Sequence, residues 1–146
     1  MTDQGSDRRD LAAMLQPLVR ALVAAELPVL ARQGISMWGY VVLNALDGGP
    51  ARTQAVLAQA IGADKTRIIG VLDDLQEAGL ITRETDPADR RARLLSITPA
   101  GHRIRATTQA EIQANENRVL SRLPAADRQA FLRSVEVLSS QPQRDG

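Results

Sequence analysis

Asp86-Pro87-Ala88-Asp89-Arg90-Arg91-Ala92 is a polar stretch lying between two runs that read as strands. Before it, Ile81-Thr82-Arg83-Glu84-Thr85 alternates apolar and polar residues. After it, Arg93-Leu94-Leu95-Ser96-Ile97 ends in the same alternation. A period of two places apolar side chains on one face of a strand, so two such runs joined by a turn-rich insert read as a hairpin. The spacing predicts strands over 81–85 and 93–97 with a loop over 86–92.

Upstream of the hairpin lie two short helices. Thr53 is placed to cap the first, which carries Val56, Leu57, Ala60 and Ile61 and is closed by Gly62. Asp64 is placed to cap the second, with Ile68, Val71, Leu72 and Leu75 on one face. Gly79 ends it, and Leu80 makes the apolar contact that follows a C-terminal glycine. Only Gly62-Ala63-Asp64 separates the two, which is the helix-turn-helix pattern. A hairpin directly after it is a wing.

The flanks are helical. From Asp7 to about Ala31, Leu11, Leu15, Leu18 and Leu22 recur at helical spacing, with kinks expected at Pro17 and Pro28 and a stop at Gly34. Ser36 caps the next helix, with Ile35 and Tyr40 at hydrophobic-staple positions. Trp38, Val41, Val42, Leu43 and Leu46 continue it, and Gly48-Gly49-Pro50 stops it. Thr98-Pro99 restarts helix, with Ile104, Thr108, Ile112, Asn115 and Val119 repeating to about Arg122. After Pro124 a last helix carries Phe131, Leu132, Val135 and Leu138 on one face. The expected fold is mainly α with a small β-hairpin wing. A winged helix-turn-helix domain over 35–98 is flanked by dimerisation helices over 7–34 and 99–139, with flexible tails at 1–6 and 140–146. The small middle unit cannot cover the apolar faces of the flanking helices, so a homodimer in which two copies cover each other is expected.

Composition removes whole classes of function. The 146 residues suit one domain and include no Cys, which excludes a disulfide framework, a thiol sensor and a Cys-bound zinc. A single His, His102, excludes a His-rich metal site. No nucleophile–base pair, phosphate loop or metal spacing is present, so no catalytic residue, metal or cofactor is expected and the chain does not read as an enzyme. Aromatic residues are only 2% of the chain: Trp38, Tyr40 and Phe131. The net charge of +1 conceals a bias, because all basic residues except Lys65 are Arg, the side chain suited to forked contacts with phosphate and guanine. Over 81–105, six Arg (83, 90, 91, 93, 103, 105) face three acids (Glu84, Asp86, Asp89), a local excess of three positive charges. The apolar stretch Leu11–Leu30 is interrupted by Gln16, Arg20 and Glu26. It reads as too polar for a membrane span and lacks the pattern of a signal peptide, so a cytoplasmic protein with no membrane partner is expected.

With these elements in order, the chain resembles the MarR family of winged-helix transcriptional regulators. The likeness rests on Ala58-Gln59-Ala60-Ile61-Gly62 before Asp64-Lys65-Thr66, and on Leu75-Gln76-Glu77-Ala78-Gly79-Leu80-Ile81. It rests above all on the wing, where Asp89, Arg91, Leu95, Ile97, Thr98 and Gly101 fill the family's pattern. The resemblance implies a partner in double-stranded DNA, a pseudopalindromic operator with half-sites about one helical turn apart. Lys65, Thr66 and Arg67 then begin the helix that enters the major groove, with Arg67 able to fork onto guanine. Arg91 enters the minor groove from the wing, Arg90 and Arg93 lie beside it, and Asp89 braces the loop, by pairing with an Arg or otherwise. Thr53 and Gln54 are candidate phosphate contacts. Ile69 and Gly70 stand where the family often carries Ser and Arg, and Asp73 and Asp74 follow. A glycine there suggests close approach to the duplex or to another helix.

Family members also bind small aromatic anions between the dimerisation helices and the winged domain, and this releases DNA. The resemblance therefore points to Trp38 and Tyr40 as an aromatic wall and to Arg20 or His102 as a carboxylate partner. The same residues also read as core and staple (Trp38, Tyr40) and as surface helix (His102). Two functions follow. The first is a dimeric, sequence-specific regulator, a repressor released by a small aromatic or phenolic ligand. The second is a winged-helix module for protein interaction or DNA architecture, without ligand response.

Overall fold

The computed structural model describes residues 7–49 and 52–140. In chain order the elements are α1 (Leu11–Gln33), α2 (Met37–Leu46), β1 (Arg52–Thr53), α3 (Gln54–Ile61), α4 (Lys65–Glu77), β2 (Ile81–Asp86), β3 (Asp89–Ile97), α5 (Pro99–Leu120) and α6 (Ala125–Ser139). The fold is mainly α with a small antiparallel sheet, a winged helix between flanking helices. The expected tails at 1–6 and 140–146 lie outside the described residues, except Ser140, which ends α6. Pro50, part of the expected stop after α2, also lies outside them; α2 itself ends at Leu46.

Local chemistry sets the helix boundaries. Ser36 Oγ accepts the Gly39 N–H at 2.9 Å, Thr53 Oγ1 the Val56 N–H at 3.2 Å, and Asp64 Oδ1 the Thr66 N–H at 3.2 Å. Each satisfies a donor that the first turn leaves without a helical partner. At the end of α4, Gly79 takes φ 75°, and the Leu80 N–H donates to the Leu75 carbonyl at 2.9 Å while Gly79 N–H donates to Gln76 at 3.0 Å. This double closure buries Leu75 with Leu80 and turns the chain into the wing. Thr98 joins that corner to α5. Its hydroxyl donates to the Gly79 carbonyl at 2.7 Å, and its oxygen accepts the Gly101 N–H at 3.0 Å.

The sheet order is β1-β3-β2. The wing strands run further than the sequence predicts. Ile81 pairs with Ile97 and the ladder continues to Thr85 opposite Arg93, then jumps to Asp86 opposite Asp89. That last pairing narrows the turn to Pro87-Ala88, with the Ala88 N–H held by Asp86 Oδ1 at 2.9 Å. Arg90, Arg91 and Ala92 consequently belong to β3 as a bulged segment with no partner on β2. β1 is an unpredicted third strand, pairing Arg52 with Leu95 and Thr53 with Leu94.

One core serves the winged part: Val42, Leu43 and Leu46 from α2, Leu57 and Ala58 from α3, Ile68, Leu72 and Leu75 from α4, then Leu80, Ile81 and Leu95. Gly101 is buried beside it for a steric reason. A Cβ there would lie 2.2 Å from the Leu80 carbonyl oxygen and 2.7 Å from Ile97 Cγ1.

The described chain divides into two compact units, one running to Ile112 and the other beginning at Gln113. In the first, α1 is one continuous helix through Pro17 and Pro28, begun at Leu11 rather than near Asp7. It buries only Val29 and Leu30, near its end, where Arg32 pairs with Glu111 of α5 at 2.9 Å. Leu11, Met14, Leu15, Val19, Val23 and Leu27 stand exposed along it. The expectation that this stretch is too polar to span a bilayer does not hold on length and composition. Its most apolar 18 residues have a mean hydropathy of 1.4, because Arg20 and Glu26 are outweighed by Leu, Val and Ala. In the second unit, α6 buries no residue, and Leu132, Val135, Val137 and Leu138 are exposed.

Candidate nucleic-acid interface

The helix that the sequence assigns to groove reading is α4. Ile68, Leu72 and Leu75 fix it to the core, which leaves Thr66, Ile69, Gly70 and Asp73 on the open side. Its first turn carries Lys65, Thr66 and Arg67, all exposed. Arg67 is not free in solvent: its guanidinium lies over the Trp38 ring, 6.0 Å from the centroid. Trp38 is half-buried at the start of α2, so the two first turns are tied together through a cation and a π face.

Thr53 and Gln54 sit half-buried at the N-terminus of α3, where the Thr53 hydroxyl is committed to its cap. A contact from this end to a phosphate would use the positive end of the helix as well as side chains.

The wing presents its basic residues unequally. Arg83 pairs with Asp73 and bonds to Gln76, both on α4, which ties the wing to the helix and neutralises Asp73. Arg105 is held by Asp47 at 3.2 Å and by Gln109 at 3.0 Å. Arg90, Arg91 and Arg93 are exposed, and among the described residues none has a carboxylate partner. Asp89 Oδ1 accepts the Arg91 N–H at 3.0 Å, and among the described residues no Arg side chain pairs with Asp89. That bond shapes the bulge and leaves the Arg91 guanidinium available. Of the six arginines counted from sequence, three stand exposed on β3 beside Asp89, Arg103 is exposed on α5, and Arg83 and Arg105 are paired with Asp73 and Asp47.

The four candidate ligand residues do not converge within this chain. Trp38 and Tyr40 are half-buried at the start of α2. His102 lies past its far end, about 15 Å along a ten-residue helix, with Nδ1 2.8 Å from Asp47 Oδ1. Arg20 is exposed on α1. A cleft of about 210 Å³ is lined by Gly34, Ile35, Ser36, Val71, Asp74, Leu75, Ala78 and Leu80, and by none of the four. Asp47, which joins His102 to Arg105, and the Asp73–Arg83 pair escaped the sequence reading. Both link positions whose neighbourhood exists only after folding.

The MarR family model matches residues 33–92. A Thauera aromatica protein assigned as a transcriptional regulator for the hcr operon is 30% identical over 121 residues, covering 83% of this chain and 69% of that protein. The transcriptional repressor CouR bound to a 23-mer DNA duplex superposes with a TM-score of 0.78 at 25% identity, covering 89% of this chain and 92% of that one. CouR from Rhodococcus jostii RHA1 has also been solved with p-coumaroyl-CoA, and gives a TM-score of 0.74 at 25% identity over 91% of this chain and 94% of that one. A MarR family protein of Mycobacterium tuberculosis in complex with DNA gives 0.79 at 25% identity, covering 91% of this chain and the whole of that one. The relatives are transcriptional regulators rather than enzymes, and with this wing, this helix pair and this match, the chain belongs to the MarR family of winged-helix transcriptional regulators.

Proposed function

We propose that the protein is a cytoplasmic, dimeric, sequence-specific DNA-binding repressor that a small aromatic or phenolic ligand releases from its operator. The observation that carries the DNA-binding reading is the set of exposed arginines on β3, without a carboxylate partner among the described residues, in a chain whose helix α4 is open on one side. Arg90, Arg91 and Arg93 supply phosphate and minor-groove contacts, while Lys65, Thr66 and Arg67 meet the major groove. Both DNA-bound neighbours support this docking.

Dimerisation is supported by the uncovered apolar rows of α1 and α6. Exposed apolar surface on this scale calls for a partner, and a second copy supplies complementary helices while setting two recognition helices against a pseudopalindrome. Ligand response is supported by neighbours solved with p-coumaroyl-CoA and with p-aminosalicylic acid. Trp38 and Tyr40 stand at one end of α2 and His102 past the other, so the ligand reading takes Arg20 rather than His102 as the carboxylate partner of the aromatic pair.

The test is retardation of DNA from the protein's own upstream region, repeated with a panel of aryl carboxylates, phenols and their thioesters. Retardation at low salt, reversed by one of the panel, is expected. No retardation of any fragment rejects the reading.

A further inference from the structure

We propose that Ile69 is a base-reading residue of α4 that recognises the C5-methyl group of a thymine, with Gly70 allowing the helix close enough for that contact. This rests on the proposed DNA-binding function and names the chemistry that α4 reads.

Ile69 is 47% exposed although its neighbours Ile68 and Leu72 are buried, so it is not a core residue displaced to an edge. It stands one turn into α4 on the open side, with Thr66 before it and Asp73 after it. The middle of this face offers no hydrogen-bond donor to a base. Ile69 and Gly70 have none, and the Asp73 carboxylate is taken by Arg83. A surface of this kind cannot fork onto guanine or adenine. The apolar feature of a base edge in the major groove is the thymine methyl, and an aliphatic side chain is its complement.

Gly70 is the second observation. It lies within the helix without a positive φ, and a Cβ built there meets nothing within 4 Å. Among the described residues neither backbone conformation nor packing requires glycine here, and of the two alternatives, close approach to the duplex or to another helix, no helix of this chain comes near it. Glycine is a poor helix former, so its presence points to contact with something outside the chain. A duplex seated against α4 is that body: without a Cβ at position 70, the helix sinks further into the groove and Ile69 reaches the base edge.

The test uses a duplex selected by the full-length protein from a random-sequence pool, then resynthesised with each thymine replaced singly by uracil. Uracil keeps every hydrogen-bonding group and lacks only the methyl. Burial of one methyl corresponds to a roughly four-fold loss of affinity per half-site, and about 15-fold when both half-sites are changed. The expected result is such a loss at one thymine in each half-site, and its disappearance at those positions in Ile69→Ala. Indifference of the wild type to uracil at every position, or undiminished sensitivity in Ile69→Ala, overturns the inference while leaving the proposed function standing. Failure to enrich any sequence overturns the proposed function and the inference with it.

Discussion

The guanidinium of Arg67 sits over the indole of Trp38, 6.0 Å from the ring centroid, joining the first turn of α4 to the first turn of α2. The sequence assigns these residues to different tasks, one to DNA and the other to a ligand. The fold makes them neighbours, so anything that displaces one changes the surroundings of the other.

Arg67→Ala is expected to change the emission of Trp38 in the free protein, since this is the chain's single tryptophan. Trp38→Leu removes a cation–π contact of about 0.5–1 kcal/mol. The freed Arg67 has more conformations to lose on binding, and operator affinity is expected to fall two- to five-fold. Fluorescence spectra of the wild type, Arg67→Ala and the remote Arg93→Ala check the geometry. Identical spectra for all three contradict it.

Arg91→Ala is expected to weaken binding to all duplexes and to lower the slope of log affinity against log salt by about one. Asp89→Ala keeps the guanidinium but removes the carboxylate that holds the Arg91 N–H, so it is expected to give a smaller loss of affinity. Anisotropy titrations at several salt concentrations measure both.

Two glycines are expected to respond oppositely to alanine. At Gly70 the added methyl meets open space, and the better helix former raises stability by about 1 kcal/mol, or roughly 3 °C in Tm. Operator affinity is expected to drop despite that gain. At Gly101 the methyl collides with the Leu80 carbonyl, and overpacking of this kind costs about 1–3 kcal/mol. Thermal melts of the two variants give the signs.

Leu27→Asp on α1 and Val135→Asp on α6 place charge on apolar rows that this chain leaves uncovered. Both are expected to turn a two-copy species into single chains with unchanged helix content and little operator affinity. Sedimentation velocity with circular dichroism checks this. A wild type that sediments as one chain contradicts the dimer.

Much of this was legible locally. Ser36, Thr53, Asp64 and Thr98 cap helices where their side chains and spacing say they should, and Gly34, Gly62 and Gly79 take the left-handed turns that end them. These features depend on residues within a few positions of each other. What escaped depends on distant partners. β1 is two residues long and exists because Leu94 and Leu95 pair with it from across the sheet. The wing runs on because Asp86 meets Asp89 across a two-residue turn. Arg83 looks like part of the basic patch until the fold brings Asp73 and Gln76 to it. The Arg67–Trp38 contact likewise joins residues 29 positions apart in the chain.

The central claim is that this winged helix reads DNA sequence. Its most direct test compares the affinity of the full-length protein for its selected duplex with that for a scrambled duplex of the same composition and salt concentration. A preference of at least about a thousand-fold, falling steeply as salt rises, is expected. Equal affinity for the two duplexes contradicts it.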